Sequence, residues 1–207
     1  MKPQAVVFDI GNVLMSWDPE GFYDRKLGAE RARTFFREVP IFEMNEGIDR
    51  GEPFEGSVRA LAEEYPAWAP EIMLWHDEWL EMTKPWIPQS IAIRNKLRQK
   101  GVPTFSLTNF GNESYDLYQE DLPFLSQFDR CFVSGKLGVM KPDPRIYEIV
   151  EQETGFAPET LLFTDDRADN ITAAARRGWR THQFESWQGW ARRLVAEGLL
   201  SEEEAGL

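Results

Sequence analysis

The chain has 207 residues, enough to bury a sizeable core in one domain that carries a small inserted module. With 42% hydrophobic and 28% charged residues its composition is globular, and no run approaches the ~18 consecutive apolar residues that would cross a membrane. A formal net charge of -12, from 35 acidic and 23 basic residues, repels nucleic acid and anionic membrane surfaces; neither is an expected partner, and an anionic substrate would need a local cation.

Met1-Lys2-Pro3-Gln4 runs straight into an apolar stretch without the long apolar core and cleavage site of a secretory leader, so the expected location is cytoplasmic. The first expected strand, residues 5–8, ends on Asp9. Asp18-Pro19 then reads as an N-cap followed by proline at the first helical position. From about residue 21 to 86 the pattern is helical with no convincing strand, as in an inserted module. This stretch holds four of the eight tryptophans, Trp68, Trp75, Trp79 and Trp86. Trp75 and Trp79 share a helical face, and the set is expected to pack the module, with a substrate pocket under a lid as the functional alternative.

Residues 91–100 predict a helix with Ile93 and Leu97 as its apolar positions, closed by Gly101. A strand over 102–107 leads into Thr108-Asn109, and another over 131–133 places Cys131 in the core. As the single cysteine it can form no internal disulfide. Asp143-Pro144 repeats the cap and proline signal, a strand over 161–163 approaches Asp165-Asp166, and an alanine-rich helix over 170–177 stops at Gly178. A weaker strand spans 181–184, and Glu202-Glu203-Glu204 is expected to be a solvated tail. His76 and His182 lack metal-ligand spacing to a partner, and neither a P-loop lysine motif nor a serine elbow is present.

Strands alternating with helices predict an α/β fold with a doubly wound parallel sheet whose ligands bind beyond the carboxyl ends of the strands. Asp9, Thr108-Asn109 and Asp165-Asp166 fall at those ends, and Lys141 follows the third strand. Alone, each has an ordinary reading as a cap, a turn or a surface lysine. Together they form a consistent chemistry. Carboxylates drawn close need a cation, and an all-oxygen set suits magnesium. Lys141 can pair with Asp9 and with an anionic substrate, while Thr108 and the amides beyond Asp9 can donate to phosphate oxygens. An aspartate that attacks phosphorus forms an aspartyl-phosphate, which water then hydrolyses. Asp18 and Asp143 are explained by capping alone.

Four segments carry a resemblance: Phe8-Asp9-Ile10-Gly11-Asn12-Val13-Leu14, Ser106-Leu107-Thr108-Asn109, Lys141-Pro142-Asp143-Pro144-Arg145-Ile146-Tyr147, and Phe163-Thr164-Asp165-Asp166-Arg167-Ala168-Asp169-Asn170-Ile171. The set resembles the haloacid dehalogenase-like hydrolase superfamily, mostly phosphatases on a Rossmann-like domain with a lid. Its FDxGNV first motif is similar to a branch that includes sugar-phosphate phosphatases. The resemblance implies a Rossmann-like core over 1–15 and 88–207, a helical cap over 16–87, a magnesium (Mg2+) cofactor and a small phosphorylated substrate, in a monomer or homodimer. It further implies that Asp9 is nucleophile and metal ligand, with the Gly11 carbonyl as a second ligand. Registered on Asn170-Ile171-Thr172-Ala173-Ala174, Asp166 is the third ligand and Asp165 the adjacent candidate. Thr108 and Asn109 would hold the transferring phosphoryl group, and Lys141 would neutralise both Asp9 and phosphate.

Gly11 departs from the pattern, because most phosphatases of the superfamily place there a second aspartate that protonates the leaving alcohol and then activates water. Loss of a general acid costs on the order of 10²- to 10⁴-fold in rate, and the amide of Asn12 is no substitute. From Gly11 alone, aryl, acyl or anomeric phosphates are expected to turn over faster than simple alkyl phosphates. Two alternatives stand beside this reading. One is a metal-independent 2-haloacid dehalogenase, which Asp165-Asp166 argues against; the other is a phosphate-ligand binding protein with little turnover, against which the retention of Asp9, Lys141 and both acids argues.

Overall fold

The computed structural model describes residues 2–207. Five strands, β1 (Ala5–Phe8), β2 (Thr104–Thr108), β3 (Arg130–Val133), β4 (Leu161–Asp165) and β5 (Arg180–Gln183), form one parallel sheet in the order β3-β2-β1-β4-β5. Each lies within two residues of its expected bounds. Between β1 and β2 run α1 (Pro19–Leu27), α2 (Ala29–Glu38), α3 (Ile41–Asp49), α4 (Phe54–Glu64), α5 (Ala69–Asp77) and α6 (Pro88–Gln99). Next come α7 (Asn112–Leu117) before β3, α8 (Ser134–Leu137) and α9 (Pro144–Thr154) before β4, α10 (Ala168–Arg176) before β5, and then α11 (Trp187–Ala196) and α12 (Glu202–Ala205).

Alternation along β1 explains why both faces of the sheet are covered. Val6 and Phe8 join one core with Ile93 and Leu97 of α6 and Trp190 and Leu194 of α11. Ala5 and Val7 point the other way, into a second core with Ile146 and Val150 of α9 and Ala174 of α10. A strand buried on both faces must be apolar throughout, as Ala5–Phe8 is. β1 pairs with β2 on one side and β4 on the other, so the strand order reverses at its carboxyl end. A crevice opens at such a point, and Asp9 is the first residue past the strand.

Local signals act as their chemistry dictates. The Asp18 side chain accepts from the Gly21 amide at 3.0 Å, and Asp143 accepts from the Arg145 amide at 2.8 Å, each just before a proline that opens a helix. Two expectations are refined. Cys131 lies on β3 but is only partly buried, because β3 is an edge strand whose first residues reach the rim; its Sγ donates to the Leu125 carbonyl. The acidic run 202–204 is no loose tail. It forms the first turn of α12, where the helix dipole favours negative charge, with a Ser201–Glu204 capping box and a Lys100–Glu204 ion pair at 2.6 Å. Among the described residues no helix is long and apolar enough to cross a membrane.

Trp75 of α5 is completely buried, edge-on to Trp17 and Phe42 and near Tyr23. Trp75→Ala leaves a cavity where three aromatic rings meet and lowers the unfolding free energy by about 3–5 kcal/mol, as urea titration will read. A loss below ~1 kcal/mol would remove Trp75 from the packing centre of these helices.

Candidate active site

The Asp9 amide donates to the Thr164 carbonyl at 2.9 Å, so the β1–β4 ladder extends to the carboxylate that leaves it. Asp9 Oδ1 accepts from the Ile10 amide at 2.7 Å and from Lys141 Nζ at 2.9 Å. Burial pushes the Asp9 carboxyl up to about 7; Lys141 opposes the rise, and Asp165 and Asp166 add to it.

Beyond Asp9 the chain turns tightly, with the amides of Val13, Leu14 and Met15 all directed at the Ile10 carbonyl. The turn drives Asn12 into the left-handed region at φ 54°, which asparagine tolerates better than most residues. Its side chain then spans two elements. Oδ1 accepts from the Trp17 amide, and Nδ2 donates to Asp166 Oδ2, both at 2.9 Å. Asp166 is partly buried, and burial together with Asp165 raises its carboxyl against the opposing bond from Asn12 and the charge of Lys141.

Asp165 and Asp166 look alike in sequence and do different work. Asp165, the last residue of β4, is fully buried. Its Oδ1 accepts from the Arg167 amide and Asn170 Nδ2, and its Oδ2 from Asn170 Nδ2 and from Lys141 Nζ at 2.6 Å. Lys141 is itself 2% exposed, with its ammonium shared between Asp9 and Asp165. Burial pulls this lysine down, but the two carboxylates outweigh it and hold the group above the ordinary lysine range. Asn109 pins the same residue from the other side: its Nδ2 donates to the Lys141 carbonyl at 3.0 Å and its Oδ1 accepts the Lys141 amide at 2.8 Å.

Asp9, Asp165 and Asp166 each offer a carboxylate oxygen, all within 4.8 Å of one another. With all three ionised, one ammonium leaves two negative charges uncompensated in a mostly buried site, and that deficit is what burial resists by raising Asp9 and Asp166. A divalent cation with a preference for oxygen fits that deficit. The adjoining cavity has a volume of about 740 Å³, and Asp9, Gly11, Thr108, Asn109, Lys141 and Asp166 all line it. Asp165 does not; it stands behind, holding Lys141.

Residues between β1 and β2 line the cavity as well: Trp79 and Phe42 are its apolar side chains there, and Asn45, Glu46, Asp49 and Arg50 its polar ones. Of the four tryptophans singled out in the sequence, Trp79 reaches the cavity, and Trp75 packs behind. Asn12, Asn170 and Asp49 carry geometry that the sequence motifs did not assign. Only Asn12 had a local signal, an asparagine after glycine ahead of an apolar run, which suits a left-handed turn.

A family model described as haloacid dehalogenase-like hydrolase matches residues 3–178. A sesquiterpene phosphatase of Aspergillus oryzae is 25% identical over 177 residues, covering 84% of this chain and 86% of its own length. An (S)-2-haloacid dehalogenase of Pseudomonas putida is 28% identical over 103 residues, 50% of this chain and 44% of its own length. Among solved structures, a haloacid dehalogenase family enzyme of Bacteroides thetaiotaomicron, an alanine variant in complex with magnesium and inorganic phosphate, matches with a TM-score of 0.69 at 16% identity, covering 91% of this chain and 98% of that one. The last likeness is one of fold.

The Asn12 turn generates a test that separates backbone from side chain. Asn12→Gly and Asn12→Ala both remove the bonds to Trp17 and Asp166, but only alanine meets the cost of a left-handed backbone. Asn12→Ala is expected to be less stable than Asn12→Gly by about 1 kcal/mol in urea titration. Equal stabilities would show that the turn relaxes once the side chain is gone.

Proposed function

The chain belongs to the haloacid dehalogenase-like hydrolase family, and on that premise we propose that it is a magnesium-dependent phosphatase acting on a small phosphomonoester through an aspartyl-phosphate on Asp9. The observation that carries this reading is the charge deficit around Lys141: a nucleophile-capable carboxylate and two further acids share one buried ammonium at the switch point of the sheet.

Asp9 Oδ1 is held by Lys141 and the Ile10 amide, which leaves Oδ2 to turn toward phosphorus. The Lys141 ammonium opposes the rise that burial imposes on the Asp9 carboxyl, which favours the ionised nucleophile, and it meets the negative charge of the phosphoryl group. Thr108 and the Gly11 amide receive phosphoryl oxygens, since the amides of Ile10 and of residues 12–15 are already committed within the turn. Asn109, whose amide is committed to the Lys141 backbone, takes part through that lysine. Magnesium, held by Asp9, Asp166 and the Gly11 carbonyl with Asp165 adjacent, would neutralise the phosphoryl oxygens.

We read residues 16–87 as the cap and 1–15 with 88–207 as the core, a division supported by the run of helices between β1 and β2 and by a cavity that both parts line. A cavity lined by both aromatic and polar side chains suits a sugar phosphate, with ring carbons against Trp79 and hydroxyls toward Asn45 and Arg50. The likeness to a dehalogenase favours a second reading, in which Asp9 attacks carbon. The acidic cluster opposes it, because an anionic haloacid would enter a site already two charges negative.

A panel of sugar, aryl and prenyl monophosphates, read by phosphate release, tests the proposal. Turnover should require magnesium, vanish with chelator and vanish in Asp9→Asn. Release that survives either treatment, or 2-chloropropionate hydrolysis that persists in chelator, would overturn it.

A further inference from the structure

The loop that carries Asp9 lacks a proton donor at Gly11, yet its backbone leaves room for one. Among the described residues beyond its chain neighbours, a Cβ on Gly11 would meet only Trp17 Cβ within 4 Å, at 3.6 Å, and Gly11 is not among the glycines with positive φ. Space therefore does not explain the missing carboxyl, and the proton has to come from another wall of the cavity. Beyond the Asp9 and Asp166 set, three acids line it: Glu46, Asp49 and Asp143. Asp143 is committed to capping α9, and Glu46 is exposed and paired with Arg50 at 3.3 Å. Asp49, the last residue of α3, forms no ion pair among the described residues.

We infer that Asp49 is the general acid and base of this site, delivered from the end of α3 into the cavity that Asp9 lines. The inference rests on the phosphatase reading above. Two features of the structure fix the carboxyl in place. First, the residues flanking Asp49 sit against glycine backbone on both sides. A Cβ on Gly51 would stand 2.9 Å from the Gly135 carbonyl oxygen, and one on Gly111 would overlap Ile48 Cγ2, so Gly51 packs backbone to backbone and the Ile48 side chain seats directly on the Gly111 backbone. Second, Asn45 orients the carboxyl. The indole Nε1 of Trp75 can only donate, and it reaches Asn45 Oδ1 at 3.2 Å; the Asn45 amino group therefore faces Asp49 and donates to Oδ2 at 3.1 Å. Oδ1 is left to carry the proton. Burial raises this carboxyl to about 7, Glu46 adds to the rise, and Lys141 and Arg50 oppose it. Both protonation states are then populated near neutrality, as alternating acid and base duty requires.

In the first step Asp9 Oδ2 bonds to phosphorus and the ester P–O bond breaks. The electron pair goes to the leaving oxygen, which takes the Asp49 proton and departs as an alcohol. In the second step water bonds to phosphorus and gives a proton to the Asp49 carboxylate, while the P–O bond to Asp9 breaks and returns the Asp9 carboxylate with inorganic phosphate. Under this scheme the enzyme depends only weakly on leaving-group quality. The steep dependence expected from Gly11 alone belongs instead to the enzyme without Asp49.

The experiment compares a simple alkyl phosphate with p-nitrophenyl phosphate, whose phenolate leaves without a proton, in the parent, Asp49→Asn, Asp49→Glu and Asp49→Asn with Gly11→Asp. In Asp49→Asn, kcat/KM should fall on the order of 10²- to 10⁴-fold for the alkyl ester and less than ~10-fold for the aryl ester. Because water activation is lost for both, p-nitrophenol should appear in a burst followed by slow turnover. Asp49→Glu should recover part of the alkyl rate, and Gly11→Asp should recover it from the loop side. Equal losses of kcat/KM on both esters, or no loss on either, would overturn the inference while leaving the parent's phosphatase activity standing. If the parent itself shows no magnesium- and Asp9-dependent release, the phosphatase reading falls and takes this one with it.

Discussion

One buried ammonium organises this molecule. Lys141 Nζ lies 2.9 Å from Asp9 and 2.6 Å from Asp165, so the ends of β1 and β4 and the loop after β3 meet at a single cation. Desolvating these charges is expensive, and attraction alone does not repay it unless the remaining lone pairs are also satisfied. The structure meets that condition unevenly. Asp165 is saturated by Asn170, the Arg167 amide and the lysine, whereas among the described residues Asp9 keeps an oxygen without a donor and Asp166 keeps a face toward the cavity. The unsatisfied part of the network points where a substrate would sit. The satisfied part holds it still.

Sheet topology makes that meeting possible. Because the strand order reverses at β1, the residues that follow β1, β2 and β4 open onto the same crevice although they are far apart in the chain. The cores on the two faces of the sheet leave the strands little freedom to slip, since a one-residue shift in β1 would exchange Val6 and Phe8 with Ala5 and Val7 between unlike cores.

Much of this was legible in the sequence, for an identifiable reason. β1 and β4 announce themselves as apolar runs because parallel strands covered on both faces have no polar side, and Asp9 and Asp165-Asp166 stand out as the first charges after such runs. The role split between Asp165 and Asp166 was less visible: only the position of the strand end shows which acid faces Lys141 and which faces the cavity. Asn12 escaped assignment because its partner Asp166 lies 154 residues away. Asp49 has no local signature at all. Its placement depends on how α3 lands on the glycines of the core, and no pattern within the helix encodes that. The turn over 202–204 was missed because a charge run reads as solvated until Ser201 ahead of it is read as a cap.

The bond from Trp75 to Asn45 ties the interior of the helical segment to the polar wall of the cavity. A phenylalanine at position 75 would fill most of the same space but bring no N–H, and the Asn45 amide could then present its oxygen to Asp49 as readily as its nitrogen. Bulk and hydrogen bonding thus impose separate demands on one buried side chain, and hydrophobicity measures only the first. The identity of a residue that never touches the cavity would then be set by an amide three ångströms away, so the chemical constraint on this protein extends one layer deeper than its pocket.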